Sequence, residues 1–207
     1  MKISNDTKNV LKNFSTINSG IRVKAGNKVE TISNMKNILA VATIDESFPQ
    51  DFSIYNLPEF LGATSLLDDP DFQFGDASLT VADDNSSLAY FYASEGMVTA
   101  PDKMITMPDA EISIDISSAL LKELQKAASV LGVNDLVLSS DGTTIKLEVT
   151  DKKNTTSNTF SRIVGEGNGS TYTMNFKIEN LKVLDGNYTV SVSSKGISHF
   201  NNTDIDL

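Results

Sequence analysis

Residues 4–20 read Ser4-Asn5-Asp6-Thr7-Lys8-Asn9-Val10-Leu11-Lys12-Asn13-Phe14-Ser15-Thr16-Ile17-Asn18-Ser19-Gly20, and residues 117–132 read Ser117-Ser118-Ala119-Leu120-Leu121-Lys122-Glu123-Leu124-Gln125-Lys126-Ala127-Ala128-Ser129-Val130-Leu131-Gly132. In the first stretch Val10, Leu11, Phe14 and Ile17 recur at helical spacing and share one apolar stripe at about 100° per residue. Ser4 or Asp6 can cap its start by accepting from free backbone N–H groups, and Gly20 can take the left-handed conformation that stops a helix. In the second, Leu120, Leu121, Leu124, Ala128 and Leu131 form the stripe, Ser117 or Ser118 the cap and Gly132 the stop. Opposite each stripe lies a pair of lysines four residues apart: Lys8 with Lys12, and Lys122 with Lys126. Like charges at that spacing slightly destabilise a helix, so stability does not account for them. Lys8 to Lys122 and Lys12 to Lys126 are both 114 apart, and Gly20 to Gly132 is 112.

Two shorter patterns continue the repetition. Asn56-Leu57-Pro58-Glu59-Phe60-Leu61 offers a cap and a first-turn proline, whose missing N–H would be unpaired there anyway. Ile178-Glu179-Asn180-Leu181-Lys182-Val183-Leu184, closed by Asp185-Gly186, is read as its helical counterpart. Strands are expected between the helices: Thr144–Val149 and Tyr188–Val192 alternate apolar and polar, and Ser140-Asp141-Gly142, Glu166-Gly167-Asn168-Gly169 and Asp185-Gly186-Asn187 mark turns. Helix, strands, short helix, strands thus occurs twice, which reads as a duplicated α+β unit with an extended joint near 94–110. The expected domains are 1–100 and 101–207. At 207 residues the chain suits two domains of about 100 each.

Charge is segregated along the chain. The whole carries 17 basic and 27 acidic residues, formally −10. Residues 1–36 hold seven basic groups against two acidic; residues 37–102 hold no Lys or Arg and 12 acids. The reading is one basic surface on an acidic body, which weakens non-specific polyanion binding and directs it to one place. Cysteine is absent and His199 is the single histidine, so disulfides, thiolate metal sites, cysteine nucleophiles and paired-histidine metal sites are excluded. No apolar run approaches the roughly 20 residues of a membrane span, and no signal-like stretch opens the sequence.

The remaining motifs read plainly. Asp68-Asp69-Pro70-Asp71 with Gly75-Asp76 lacks the spacing and terminal Glu of a calcium loop and is taken as a solvated turn. His199 has no acid partner or nucleophile near it in sequence and is expected at the surface. Phe72 and Phe74, two apart, are expected in a core rather than stacked on bases. Asn-x-Ser/Thr at Asn85 and Asn168 is a chance match in a chain rich in these residues.

The chain resembles the sliding clamps, the DNA polymerase processivity factors, of T-even-type tailed bacteriophages. The opening Lys2-Ile3-Ser4…Leu11-Lys12-Asn13-Phe14-Ser15-Thr16-Ile17-Asn18-Ser19-Gly20-Ile21 carries most of the likeness. Ile54-Tyr55-Asn56-Leu57…Phe60-Leu61-Gly62…Ser65-Leu66, Ala100-Pro101-Asp102-Lys103, and Gly186-Asn187-Tyr188 leading to Lys195-Gly196 add to it. The resemblance implies an α+β DNA-clamp fold: two similar subdomains, each with two helices packed on antiparallel sheet, and three subunits in a ring around duplex DNA. Twelve helices would then line the hole. Such a protein tethers the replicative polymerase, is opened by an ATP-driven clamp loader, needs no cofactor or metal, has no catalytic activity and works in the cytoplasm of the infected bacterial host. Lys2, Lys8, Lys12, Lys122, Lys126 and Lys182 become the candidate DNA-facing residues. A partner-peptide pocket is expected at the connector, on Met97, Val98, Ala100, Pro101, Met104 and Ile105. Family members carry a further strand after the segment equivalent to Ile205-Asp206-Leu207, so the second subdomain is expected either to expose a sheet edge or to leave part of its core uncovered.

Two other function classes compete. An acidic, β-rich, cysteine-free phage tail or capsid protein would share the composition but has no use for repeated lysine pairs. A carboxylate hydrolase could be built on Glu95, Asp102 or Glu111, but their spacing gives it no support.

Overall fold

Helix α1 (Asn5–Ile17) starts where Ser4 accepts from Thr7 N at 3.2 Å, and it buries Thr7, Val10, Leu11, Phe14 and Ile17. Helix α2 (Leu57–Thr64) is capped by Asn56, which accepts from Glu59 N at 3.2 Å, with Pro58 in its first turn and Leu57 and Phe60 buried. Helix α3 (Ser118–Leu131) is capped by Ser117 and stopped by Gly132 at φ 66°, with Leu121, Leu124 and Ala128 buried. The computed structural model describes residues 1–94, 96–103 and 105–205, and the chain divides between residues 104 and 105 into two compact units.

In the first unit, α1 and α2 pack together above antiparallel pairs. Strand β1 (Ile21–Val23) pairs with β4 (Phe52–Ile54), β2 (Gly26–Ile32) with β3 (Leu39–Phe48), and β5 (Asp71–Phe74), β6 (Ser78–Ala82) and β7 (Ser87–Phe91) form a meander. The backbone of Met1 exchanges hydrogen bonds with Phe72, which ties the start of the chain to β5. Phe72 is buried, and Phe74 joins Phe48 and Phe52 in edge and tilted ring contacts at 5.4–5.9 Å. Both aromatics belong to the core, as alternation predicts.

The second unit holds β8 (Ile112–Ile116), β9 (Asp135–Asp141), β10 (Thr144–Thr150), β11 (Phe160–Glu166), β12 (Thr171–Lys177), β13 (Tyr188–Ser193) and β14 (Ile197–Asn202). They make an antiparallel sheet in the order β11-β10-β9-β12 and another in the order β14-β13-β8. α3 covers a core of Ile112, Ile114, Leu124, Leu136, Leu138, Leu147, Val149 and Val190. Asp135, its side chain 3 % exposed, is held by Lys177 Nζ at 2.5 Å and by Lys152 N at 3.1 Å, so a buried charge is both paired and hydrogen-bonded. Among the described residues β14 borders its sheet, whereas β6 has a neighbour on each side.

Two local expectations are corrected. The helix expected over 178–184 is a single 3-10 turn at Ile178–Asn180, so the described residues hold three α-helices rather than four. Side chains capture the carbonyls a helix would have used: Gln125 Nε2 donates to Leu181 O at 3.1 Å and Tyr188 Oη to Leu184 O at 2.6 Å. Gly20 does not stop α1 in a left-handed conformation, since the helix ends on Asn18 in extended backbone at φ −143°. Asn18 donates through Nδ2 to Ile32 O at 2.9 Å and Thr99 O at 3.0 Å, and accepts from Gly20 N at 3.1 Å. What requires glycine at position 20 is space: a Cβ there would lie 3.1 Å from Val98 Cγ1 and 3.2 Å from Tyr55 O.

Candidate nucleic-acid interface and partner surface

The lysine ridges are where the helices put them. With Val10, Leu11 and Phe14 committed to the core, 100° per residue leaves Lys8 and Lys12 on the other side of α1; Lys12 is exposed and Lys8 half-buried. Lys122 and Lys126 are exposed on α3 in the same relation to Leu121, Leu124 and Ala128. Their surroundings differ. Lys122 Nζ lies 2.5 Å from Asp185, whose carboxyl is held below the usual carboxylate range by Lys122 and by the Ser118 hydroxyl. Lys2 pairs with Asp69 and likewise lowers its carboxyl. Lys8, Lys12 and Lys126 make no ion pair among the described residues, and Lys182 is half-buried. Both pairs are exposed and screened by solvent, so a polyanion can displace the carboxylates of Asp69 and Asp185 at little cost.

The connector residues do not gather in one pocket. Val98 is half-buried against Gly20. Met97, 59 % exposed, lines a groove of about 580 Å³ with Tyr55, Glu59, Leu88, Tyr90 and Phe91. Pro101 is buried and accepts at its carbonyl from Arg22 Nη2 at 3.3 Å; it lines a different cleft, of about 310 Å³, with Lys24, Lys28 and Lys103. Ala100 is half-buried, Ile105 is exposed, and Met104 lies outside the described residues. Sequence reasoning missed the lysine cleft. Lys24 and Lys103 are 79 residues apart in sequence, and the bonds from Arg22 to Pro101 and from Asn18 to Thr99 tie the two segments together.

Charged side chains elsewhere serve the fold. Glu46 accepts from Ser4 N and from the Thr7 hydroxyl; partial burial pushes its carboxyl up, the hydrogen bonds outweigh that, and the group sits below its usual range. Glu123 takes Arg162 through Nε at 3.2 Å and Nη2 at 2.6 Å, which ties α3 to β11. Among the described residues no three His, Asp or Glu are grouped to hold a metal ion, and no helix is long and apolar enough to cross a membrane. His199 is exposed on β14 opposite Ser191.

Comparison with known proteins agrees with this architecture. The profile of the DNA polymerase processivity factor family matches residues 4–100, and that of the gp45 sliding clamp C-terminal family matches residues 113–207. The sliding clamp of Vibrio phage KVP40 is 34 % identical over 207 residues, covering 97 % of this chain and 94 % of the relative. That of Enterobacteria phage T4 is 31 % identical, covering 95 % and 89 %. Among solved structures, A. fulgidus PCNA bound to the C-terminal region of FEN-1 superposes with TM-score 0.65 at 13 % identity, covering 90 % of this chain and 84 % of that one. The PCNA of Thermococcus kodakaraensis gives 0.64 at 9 % identity, covering 93 % and 92 %. At such identities the structures speak to fold alone, and the fold is the α+β clamp fold.

Proposed function

Because the chain belongs to the phage sliding-clamp family of DNA polymerase processivity factors, we propose that it encircles duplex DNA as a homotrimeric ring and tethers the replicative polymerase to the template. The observation that carries this reading is the repeated lysine ridge: two helices, one in each unit, present Lys8 and Lys12 and Lys122 and Lys126 at equivalent positions on a chain of net charge −10. A ring that must hold DNA and still slide needs many weak phosphate contacts and no base readout. Lysine suits that task as a hydrated, flexible point charge, whereas arginine's planar fork makes bidentate contacts that fix register. Lys2 and Lys182 are assigned to the DNA-facing set with them, and the acidic remainder repels DNA. Reading 1–100 and 101–207 as the two clamp subdomains draws support from the division of the chain between residues 104 and 105.

The protein acts by tethering and not by catalysis, in the cytoplasm of the infected bacterial host, apart from the membrane, and a clamp loader opens the ring. Ring closure requires two different surfaces, because a head-to-tail contact is heterologous. Two sheet borders with exposed apolar groups are suited to it: β7, with Phe91 73 % exposed, and β11, with Ile163 71 % exposed. The partner peptide docks at the connector, with Met97 as an adaptable apolar contact.

The test is primer extension on a long circular single-stranded template with the replicative polymerase and loader. Replacing Lys8, Lys12, Lys122 and Lys126 by Glu should reduce product length at least ten-fold while circular dichroism and melting temperature stay close to wild type. Full-length product from the folded variant would overturn the assignment of the DNA-facing ridge. A phage structural protein would give no stimulation even as wild type.

A further inference from the structure

Strand β11 is weakly supported along its middle. Among the described residues it pairs with β10 alone, and a register shift between Ile145 and Lys146 leaves Val164 out of step with the ladder. Such an irregularity interrupts pairing and lets an edge strand bend. Side chains hold the strand unevenly. Phe160 and Val164, toward its two ends, are half-buried against the core, whereas Ser161, Arg162 and Ile163 between them are exposed. Arg162 stands opposite buried Leu147 and so shares the face that α3 covers; Ile163, 71 % exposed, alternates to the other face.

A two-pronged contact ties this middle stretch to α3. Arg162 donates to the Glu123 carboxylate through Nε at 3.2 Å and Nη2 at 2.6 Å, and its guanidinium carbon lies 5.5 Å from the centre of the Phe160 ring. An ordinary exposed ion pair contributes little, but a planar fork engaged at both prongs and set over an aromatic ring is fixed in direction. Its hydrogen bonds hold the Glu123 carboxyl below the usual carboxylate range, so the fork stays charged at neutral pH. Leu120, one turn before Glu123, lines the same groove of about 500 Å³ as Ile163 and Val164, so the span of the fork also sets the opening beside the strand.

We infer that the Glu123–Arg162 fork is a positioning device for ring closure: it braces β11 from the helix that bears Lys122 and Lys126, and so holds the free edge of the strand ready to meet the next copy of the chain. This rests on the ring proposed above, with β11 as one of its two borders, and adds the residues that set the geometry of that border. Arg162 acts through the strand and not on the neighbouring copy, because Glu123 takes both of its prongs on the face that α3 covers. An unbraced edge strand would have to be ordered at the moment of contact, and that ordering cost is subtracted from the association.

The test is sedimentation velocity of the full chain across a dilution series without DNA. Glu123→Arg and Arg162→Glu should each raise the concentration at which the trimer dissociates by about ten-fold, and the exchanged pair Glu123→Arg/Arg162→Glu should return it to within about three-fold of wild type. Glu123→Gln removes the charge and keeps the shape, which guards against a reversal that misfolds; it should move the midpoint about three-fold in the same direction. At a dilution where every variant is monomeric, the β11 amides should exchange hydrogen faster in the single variants than in wild type or the exchanged pair, with melting temperatures close to wild type. Single variants that trimerise like wild type, or whose β11 amides exchange no faster, would overturn the brace and leave the ring standing. An exchanged pair as weak as Arg162→Glu alone would also overturn it, since Arg162 would then act directly on the neighbouring copy. A wild-type chain that is monomeric throughout would overturn the ring and the brace together.

Discussion

Glu46 shows how much one carboxylate can fix. From β3 it accepts from the Ser4 N–H and the Thr7 hydroxyl, two donors at the start of α1, where free N–H groups and the helix dipole both favour negative charge. Its carboxyl is depressed on folding, so its stabilising contribution is complete above the ordinary glutamate range, near pH 4.3, and is lost as pH falls through the lower folded value. Glu46→Gln should cost about 1–2 kcal/mol in urea unfolding at pH 7. Because wild type itself loses the charge in acid, the gap between the two proteins should narrow at pH 3. A gap that stays constant from pH 7 to pH 3 would show that charge at this position is irrelevant.

At the scale of elements, the way a helix is entered and left decides what its faces can present. The ridges of α1 and α3 are equivalent because both stripes are buried in register, although the two helices end differently: α3 on left-handed Gly132, α1 on extended Asn18. Two glycines test that distinction. Gly20→Val should destabilise by about 1–3 kcal/mol, since the new atoms press on Val98 and the Tyr55 carbonyl. Gly62→Ala, inside α2 with nothing within 4 Å of its Cβ, should stabilise by about 0.4–1 kcal/mol through helix propensity and a stiffer unfolded chain. Thermal melts of the two variants should therefore move in opposite directions. Parallel shifts would mean that Gly20 is held by something other than close approach.

At the scale of the whole molecule, the proposed ring requires the chain to meet its own copies. A trimer of 22.4 kDa chains sediments as a species of about 67 kDa, and mass action makes it dissociate on dilution. Sedimentation velocity across a wide concentration range should show that species, and Ile163→Asp on the border strand β11 should shift the population toward monomer without unfolding the chain. A wild-type chain that stays monomeric at every concentration would remove the self-closing ring. Trimerisation unaffected by Ile163→Asp would move the contact away from β11.

The sequence alone determined what depends on local periodicity and composition. The two amphipathic helices with their Ser caps, the first-turn proline of α2, the alternating strands β10 and β13, the core positions of Phe72 and Phe74 and the paired lysines were all legible, because each follows from spacing along a few residues. The family was legible from residues 2–21, where cap, stripe and lysines combine in one string, and relatives matched over nearly the full chain uphold it. The tertiary structure decided whatever depends on partners distant in sequence. Gln125 and Tyr188 took the carbonyls that would have built a helix over 181–184, and Asn18, its amide bonded to Ile32 and Thr99, ended α1 two residues before Gly20. Arg22 reached across to Pro101 and formed the lysine cleft. The reason is common to all three: a polar side chain chooses among backbone groups by distance in space, and that distance exists only once the chain has folded.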